Sequence, residues 1–188
     1  MIEQRVGGGD KDAIDRAIWD RFGGEYAIMA TDLAGFSRQV ARFGIIHFLQ
    51  TIHEQMRMLV PLIDSHGGTL VKTEADSMLI LYPTPGEALA SALAMQQACR
   101  DANQHRNDEE HVLLCAGIGH GRLLKIGDDD VFGHEVNLAS KLGEDIAKAS
   151  EILVTCSAHA ALAEYPDVTW DEVPADYAGE TLCWRVRS

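Results

Sequence analysis

The chain of 188 residues is 46% hydrophobic and 24% charged, a composition typical of one globular domain with a buried core. Its formal net charge of −13 argues against nucleic acid and anionic membrane surfaces as partners, because both would repel it. The sequence lacks an apolar run long enough to span a bilayer, and its four scattered cysteines indicate free thiols in a cytoplasmic protein.

The first predicted elements are a helix and a strand. Residues 10–22 place four apolar side chains on one helical face, namely Ile14, Ile18, Trp19 and Phe22. This helix either docks a second subunit or covers the core of its own chain, and the second interpretation is the more ordinary one. Gly23-Gly24 ends the helix, and residues 26–32 form an apolar strand. We therefore divide the chain into an N-terminal helical segment, 1–24, and a main domain, 25–188.

The remaining elements alternate between helices and strands. Helical spacing of apolar residues predicts helices over 36–65, 86–102, 134–148 and 157–163. Short apolar runs predict strands over 69–73, 77–82, 111–119, 122–126, 151–154, 166–171 and 181–187. The order βαββαβ, then βα and a terminal hairpin, predicts an α+β, ferredoxin-like sandwich with a C-terminal extension. We expect helices on one face of a mainly antiparallel sheet.

Two aspartates close short apolar strands. Asp32 follows the strand at 26–32 and precedes a small-residue turn, Leu33-Ala34-Gly35, that opens a helix. Asp76 lies in the predicted hairpin between 69–73 and 77–82. A strand-end carboxylate beside the amides of a helix N-terminus would hold a divalent cation next to a phosphate chain. A second such carboxylate would complete a two-metal site suited to in-line attack on phosphorus. Taken singly, Asp32 is better explained as a helix N-cap and Asp76 as a turn residue; it is the two together that favour a metal site.

Several short motifs occur together in one order and spacing. The motifs are Asp32-Leu-Ala-Gly-Phe-Ser37, Gly67-Gly68, Lys72-Thr-Glu-Ala-Asp76, Gly117-Ile-Gly-His-Gly121 and Gly133-His-Glu-Val-Asn137-Leu-Ala-Ser-Lys141-Leu142. This pattern resembles the catalytic domains of class III nucleotidyl cyclases over roughly residues 25–165, so that residues 25–188 would form a catalytic domain. Each motif is weak alone, but five in register indicate the fold strongly.

The resemblance implies a two-metal site. Asp32 and Asp76 would bind two Mg²⁺ or Mn²⁺ ions, with Leu33 as a further metal-binding position. One ion would lower the pKa of the ribose 3′-hydroxyl, and the other would neutralise the triphosphate. The backbone amides from Leu33 through Ala34, Gly35, Phe36 and Ser37 would cradle phosphate oxygens.

The resemblance also implies two residues that read the base. Lys72 and Asp130 stand at the family's base-reading positions, and their polarity fits adenine. Adenine presents an acceptor at N1 and a donor at N6, whereas guanine presents the opposite polarity. The alternative is that Lys72 is a surface residue and Asp128-Asp129-Asp130 a solvated loop; the spacing to Asn137 selects Asp130 within that run.

Asn137 resembles the asparagine that orients the ribose, and Lys141 stands where the family usually has an arginine that stabilises charge on phosphorus. Lysine lacks the planar fork of arginine, so its contacts with the transition state would be weaker. Ala75 also departs from the family, in which glycine precedes the second aspartate, and would be strained if φ there is positive. No lysine occurs in 176–179, where the family often has one. Glu74 is either a third metal ligand or a solvated turn residue.

The chain carries both the metal-binding set and the base- and ribose-binding set. The family builds its site between two domains, so the resemblance implies a homodimer with two equivalent sites. We therefore expect an adenylate cyclase that converts ATP to cyclic AMP and pyrophosphate. The alternatives are a guanylate cyclase, a weak or inactive homologue that acts as a nucleotide-binding or dimerising regulatory module, and a ferredoxin-like domain without a nucleotide role. The sequence does not identify an activating signal or a regulatory partner.

Overall fold

The computed structural model describes residues 1–107, 110–127, 130–177 and 179–187, with the backbone alone for residues 36–39 and 177. Its strands are β1 (Gly23–Leu33), β2 (Thr69–Glu74), β3 (Ser77–Tyr82), β4 (Leu114–Ile126), β5 (Asp130–Phe132), β6 (Ile152–Val154), β7 (Thr169–Tyr177) and β8 (Glu180–Arg187). Its α-helices are α1 (Ile2–Val6), α2 (Lys11–Phe22), α3 (Phe36–Phe43), α4 (Ile45–Ser65), α5 (Pro85–Asn103), α6 (His134–Ser140) and α7 (Cys156–Ala161). A π-helical turn over Lys141–Ile146, called the π-turn below, follows α6 directly.

All eight strands join one sheet in the order β2-β3-β1-β4-β6-β8-β7, with β5 paired to β4. The pairing of β4 with β6 is parallel, and the other pairings are antiparallel. The predicted α+β class and the mainly antiparallel sheet are therefore confirmed. The central strands β1 and β4 pair over the whole length of β1, from Gly23 opposite Leu124 to Leu33 opposite Leu114.

The sheet is covered on both faces, which corrects the expectation of helices on one face. Successive side chains of a strand point to opposite faces, and β1 is buried on both. Ala27 and Met29 join the large core that contains residues of α4, α5 and α7. Ile28 and Ala30 join a second core with Val136 and Ala139 of α6.

One long strand replaces the two strands predicted at 111–119 and 122–126. His120 and Gly121, which we interpreted as a turn, pair within the sheet opposite Ala27 and Tyr26. The glycines have a packing role instead. A Cβ on Gly119 would lie 2.7 Å from the carbonyl oxygen of Glu135, so the glycine lets α6 approach the strand closely.

Two predicted helices are interrupted. The helix expected over 36–65 splits into α3 and α4 at Gly44, whose φ of 84° lies in the left-handed region that favours glycine. The helix expected over 134–148 is α-helical only to Ser140 and then widens into the π-turn. The π-turn ends where the Ala147 N–H donates to the carbonyl oxygen of Leu142 at 2.8 Å.

Candidate active site

Asp32 lies near the end of β1, opposite Cys115 of β4. The chain turns directly after the strand, because the Ala34 N–H donates to the carbonyl oxygen of Leu113 at 2.9 Å and Gly35 adopts a φ of 89°. Helix α3 then begins at Phe36. The Ser77 hydroxyl donates to Asp32 Oδ1 at 3.1 Å, which ties the carboxylate to the neighbouring strand β3.

Asp76 lies in the tight turn between β2 and β3 and is only 7% exposed. Its carboxylate accepts hydrogen bonds from its own backbone N–H and from that of Leu33, while Gln55 Nε2 donates to its carbonyl oxygen at 3.4 Å. Its Oδ2 is buried without a hydrogen-bond partner among the described residues. Burial, and next the nearby charge of Asp32, raise the pKa of Asp76 to about 6. Both effects disfavour a second negative charge in this place.

The two aspartates line one cavity of about 480 Å³, together with Leu33, Ala34 and Gly35. A buried carboxylate oxygen that lacks a donor, beside a second carboxylate, is an environment that a divalent cation would satisfy. No group of three or more His, Cys, Asp or Glu side chains in the described part of the chain could hold a metal ion. The residues therefore fit an ion that takes its remaining ligands from backbone, water or phosphate, as Mg²⁺ commonly does.

Ala75 precedes Asp76 and adopts a φ of 53°. This φ is positive, which is the condition under which the sequence predicted strain at Ala75. A left-handed conformation costs a residue with a Cβ about 1–2 kcal/mol, which glycine avoids.

A second cavity, of about 350 Å³, holds the predicted base-reading residues and Asn137. Lys72 Nζ lies 3.3 Å from Asp130 Oδ1 and 4.0 Å from Glu74 Oε1. Asp130 Oδ1 also accepts the Val131 N–H at 2.9 Å. The structure therefore brings Lys72 and Asp130 together as an ion pair across β2 and β5. Asp128 and Asp129 lie outside the described residues.

The structure separates Lys141 from both cavities. Its Nζ bonds to Asp145 Oδ2 at 2.5 Å, one helical turn further along, on an exposed surface. Among the predicted phosphate-binding amides, those of Leu33 and Ala34 are already bonded, to Asp76 and to Leu113. Phe36 and Ser37 stand in the first turn of α3, and their side chains lie outside the described part of the structure.

The sequence analysis missed Ser77, Gln55 and Glu144. Glu144, in the π-turn, lines both cavities, and its pKa is raised by burial and next by the charge of Asp32. The sequence carries no signal for Glu144, because the helix widens into the π-turn after Ser140 and the α-helical period no longer applies. Ser77 and Gln55 carry none either, because their contacts depend on how β3 and α4 pack against the aspartates.

Comparisons with known proteins identify the family of this chain. A family model described as adenylate and guanylate cyclase catalytic domain matches residues 23–181. The chain belongs to this family, and the predicted resemblance is confirmed.

Individual relatives cover the same region. An adenylate cyclase of Streptomyces coelicolor (strain ATCC BAA-471 / A3(2) / M145) is 30% identical over 148 residues, which make up 78% of this chain and 34% of that protein. Three curated relatives are each spanned by this chain over only 15% to 34% of their length.

Solved structures share the fold. The adenylate/guanylate cyclase/hydrolase from Silicibacter pomeroyi is 27% identical, with a TM-score of 0.75 over 87% of this chain and 96% of that one. The adenylyl cyclase CyaB from P. aeruginosa also has a TM-score of 0.75, over 88% of this chain and 95% of that one; at 17% identity it supports the fold alone. Within the described residues, the helices are too short or too polar to cross a membrane.

Proposed function

We propose that this chain is a homodimeric adenylate cyclase that converts ATP to 3′,5′-cyclic AMP and pyrophosphate. The observation that carries the proposal is the buried Asp76 carboxylate beside Asp32, with one oxygen that lacks a donor. The 3′-hydroxyl would lose its proton to solvent, and its oxygen would attack the α-phosphorus in line, forming the cyclic ester. The bond from that phosphorus to the bridging oxygen would break, and pyrophosphate would leave with the electron pair.

Asp32, Asp76 and the backbone at Leu33 would hold two Mg²⁺ or Mn²⁺ ions, which supply positive charge at the 3′-hydroxyl and the triphosphate when bound. The Ser77 hydroxyl fixes the direction of the Asp32 carboxylate. The N–H of Leu33 fixes the direction of Asp76. Because the Leu33 and Ala34 amides are already bonded, we assign the phosphate cradle to the backbone of Gly35, Phe36 and Ser37 at the start of α3.

Lys72 and Asp130 would read the adenine edge in the second cavity, where Lys72 donates to N1 and Asp130 accepts from N6. Asn137 in the same cavity would orient the ribose. Lys141 would stabilise charge on phosphorus after leaving Asp145, an exposed partner that holds it weakly.

A homodimer would bring the metal half of one protomer to the base and ribose half of its partner. Support comes from two exposed apolar surfaces: the α3–α4 patch, formed by Phe43, Ile45, Ile46 and Leu49, and the hairpin residues Ile126 and Phe132. The N-terminal segment, residues 1–24, would cap the catalytic domain, since α2 packs against β1 and β4. The four free cysteines support a cytoplasmic location.

The first test is product analysis by mass spectrometry. Concentrated protein is incubated with ATP or GTP and with Mg²⁺ or Mn²⁺, alongside Asp32→Ala. Asp64→Ala is a matched control, because Asp64 is exposed on α4, away from the cation cavity. We expect cyclic AMP from the wild type and the control and none from Asp32→Ala. Activity retained in Asp32→Ala would contradict the metal role.

A second candidate function is a regulatory module that binds nucleotide with little turnover. The pairing of Lys141 with Asp145 and the positive φ of Ala75 favour it. This candidate predicts a Mg²⁺-dependent rise in melting temperature with an unreactive ATP analogue, together with the absence of cyclic product. Product formation by the wild type would exclude it.

A further inference from the structure

Glu144 is held in place by close contacts between backbones. The preceding residue, Gly143, packs directly on the sheet, because a Cβ there would lie 2.4 Å from the carbonyl oxygen of Ala30 and 3.0 Å from the amide nitrogen of Gly117. Gly117 in turn leaves room for the carbonyl oxygen of Ala139, which a Cβ would approach to 2.2 Å. These contacts place the π-turn, and Glu144 with it, against the strand that carries Asp32. Short π-helical segments inside helices frequently occur at functional sites.

The Glu144 carboxylate lies on the wall that the two cavities share. The electrostatic influence of Asp32 reaches it, since burial and then Asp32 raise its pKa, while a hydrogen bond with the side chain of Ser140 opposes this shift. Its neighbour Asp145 is directed elsewhere and pairs with Lys141 on the exposed surface. The two adjacent acidic residues of the π-turn therefore have different surroundings.

Glu74, the third carboxylate suggested by the sequence, is a weaker candidate for the cation site. Its side chain lines the cavity that holds Lys72 and Asp130 but not the cavity that holds the two aspartates. Glu144, by contrast, shares the cation cavity with Asp32 and Asp76, whose buried Oδ2 lacks a partner among the described residues.

We propose that Glu144 is a third carboxylate of the cation site and acts on the bound ion through water held between it and the two aspartates. The inference rests on the cation site of the proposed function. A water-mediated role follows because the described residues offer no three acidic side chains close enough to bind one ion together. Mg²⁺ and Mn²⁺ keep water ligands that an outer carboxylate orients by accepting their hydrogen bonds. Glu144 is thus a positioning residue that raises the affinity of the site.

The test is a titration of Mn²⁺ without nucleotide, with free Mn²⁺ followed by electron paramagnetic resonance. We expect Glu144→Gln to weaken Mn²⁺ binding by about tenfold or more, the range typical of lost outer-shell carboxylates. Glu164→Gln is the matched control, because Glu164 is exposed after α7. This control and Glu74→Gln should both bind Mn²⁺ as the wild type does. Asp76→Asn, which removes a direct ligand, should weaken binding at least as much as Glu144→Gln.

The outcomes separate this inference from the proposed function. If the wild type binds Mn²⁺, Asp76→Asn weakens binding and Glu144→Gln leaves it unchanged or tighter, the inference is wrong while the cation site stands. If the wild type does not bind Mn²⁺, or Asp76→Asn leaves binding unchanged, both fail. Thermal unfolding of each variant verifies the fold. Glu144→Gln should keep a melting temperature near that of the wild type, because the residue as a whole is exposed and only its carboxylate is partly desolvated at the cavity wall.

Discussion

At the scale of single residues, the most informative group is the Asp76 carboxyl. It is buried and lies beside Asp32, and its pKa is raised to about 6. Such a group is easier to protonate in the folded chain than in the unfolded chain, where the pKa of an aspartate is about 3.9. Protonated Asp76 therefore stabilises the metal-free fold. This contribution is fully present below about pH 4 and is lost as the pH rises through about 6.

Asp76→Asn should remove this pH dependence in metal-free protein. The variant should gain about 2 kcal/mol in free energy of unfolding relative to the wild type between pH 4 and pH 7, because asparagine never carries the charge. Urea unfolding in a chelating buffer at each pH measures the difference. Added Mg²⁺ should stabilise the wild type and so reduce this difference in free energy of unfolding. If the difference in free energy of unfolding between variant and wild type is the same from pH 4 to pH 7, the fold does not raise the pKa of Asp76.

Base selection is also a property of single residues. Lys72→Glu combined with Asp130→Cys should lower the preference for ATP over GTP by at least about tenfold. The double variant loses the Lys72 donor and the Asp130 acceptor, which together fit adenine and disfavour guanine. The ratio of kcat/KM for the two nucleotides measures the change. Lys11→Glu, a charge reversal on exposed α2, should keep the preference. If the double variant still prefers ATP as the wild type does, Lys72 and Asp130 do not read the base.

At the scale of elements, the contact of the π-turn with β1 and β4 is set by glycines. Gly143→Ala should destabilise the fold by about 2 kcal/mol, because the added Cβ meets rigid backbone that cannot move aside. The matched control is Gly86→Ala in the first turn of α5, where a Cβ makes only ordinary contacts at 3.8 and 3.9 Å. The control should be neutral or stabilising, since alanine favours a helix. Urea unfolding compares the two, and equal stabilities would contradict the close packing.

Glycines also explain why some elements could be predicted from the sequence and others could not. Short apolar runs were sufficient to predict β1 and the β2–β3 hairpin, and helical spacing was sufficient to predict α5. Gly121 suggested a turn, yet it lies within β4 because Glu135 packs against that surface. The π-turn leaves no periodic signature in apolar residues, and Gly44 marks a helix break only through a positive φ. Local sequence does not distinguish these uses of glycine.

Much of the candidate site could be predicted, because its residues lie at recognisable places in the sequence. Strand ends, spacing and the resemblance pointed to Asp32, Asp76, Lys72 and Asp130, and the structure brings them together as two pairs. The position of Glu144 was not predicted, because it depends on the widening of the helix after Ser140. The pairing of Lys141 with Asp145 joins residues four apart, an ordinary helical spacing, but it was not predicted either.

At the scale of the whole molecule, the proposed site needs two copies of the chain. Ile46 is 75% exposed in the α3–α4 patch, and a charge there would oppose burial against a partner. Ile46→Asp should shift the protein to monomers in sedimentation velocity and abolish cyclase activity, with circular dichroism unchanged. Val6→Asp is the matched control, because Val6 is 83% exposed on α1, outside both apolar surfaces. A dimeric and active Ile46→Asp would exclude this patch from the interface.

Mixing two inactive variants tests the shared site directly. Asp32→Ala disables the metal-binding half of a protomer, and Asn137→Ala disables the ribose-binding half. In a mixed dimer, one site therefore combines two intact halves and the other combines two disabled halves. With random pairing, half of the dimers are mixed, and activity should recover to about a quarter of that of the wild type. No recovery on mixing would mean that both halves act within one chain.

The junction between helix α2 and strand β1 determines how a movement would reach the cation site. Helix α2 passes into β1 without a loop, since Phe22 ends the helix and Gly23 already pairs with Leu124. The guanidinium of Arg122, on β4, lies 4.5 Å from the ring centre of Trp19 and ties the helix to the sheet. From Gly23 the strand extends about 30 Å to Asp32, at the usual rise of about 3.3 Å per residue. Helix α2 and Asp32 therefore lie at opposite ends of one continuous stretch of regular structure, and we expect a displacement of the helix to be transmitted along β1 to the carboxylate.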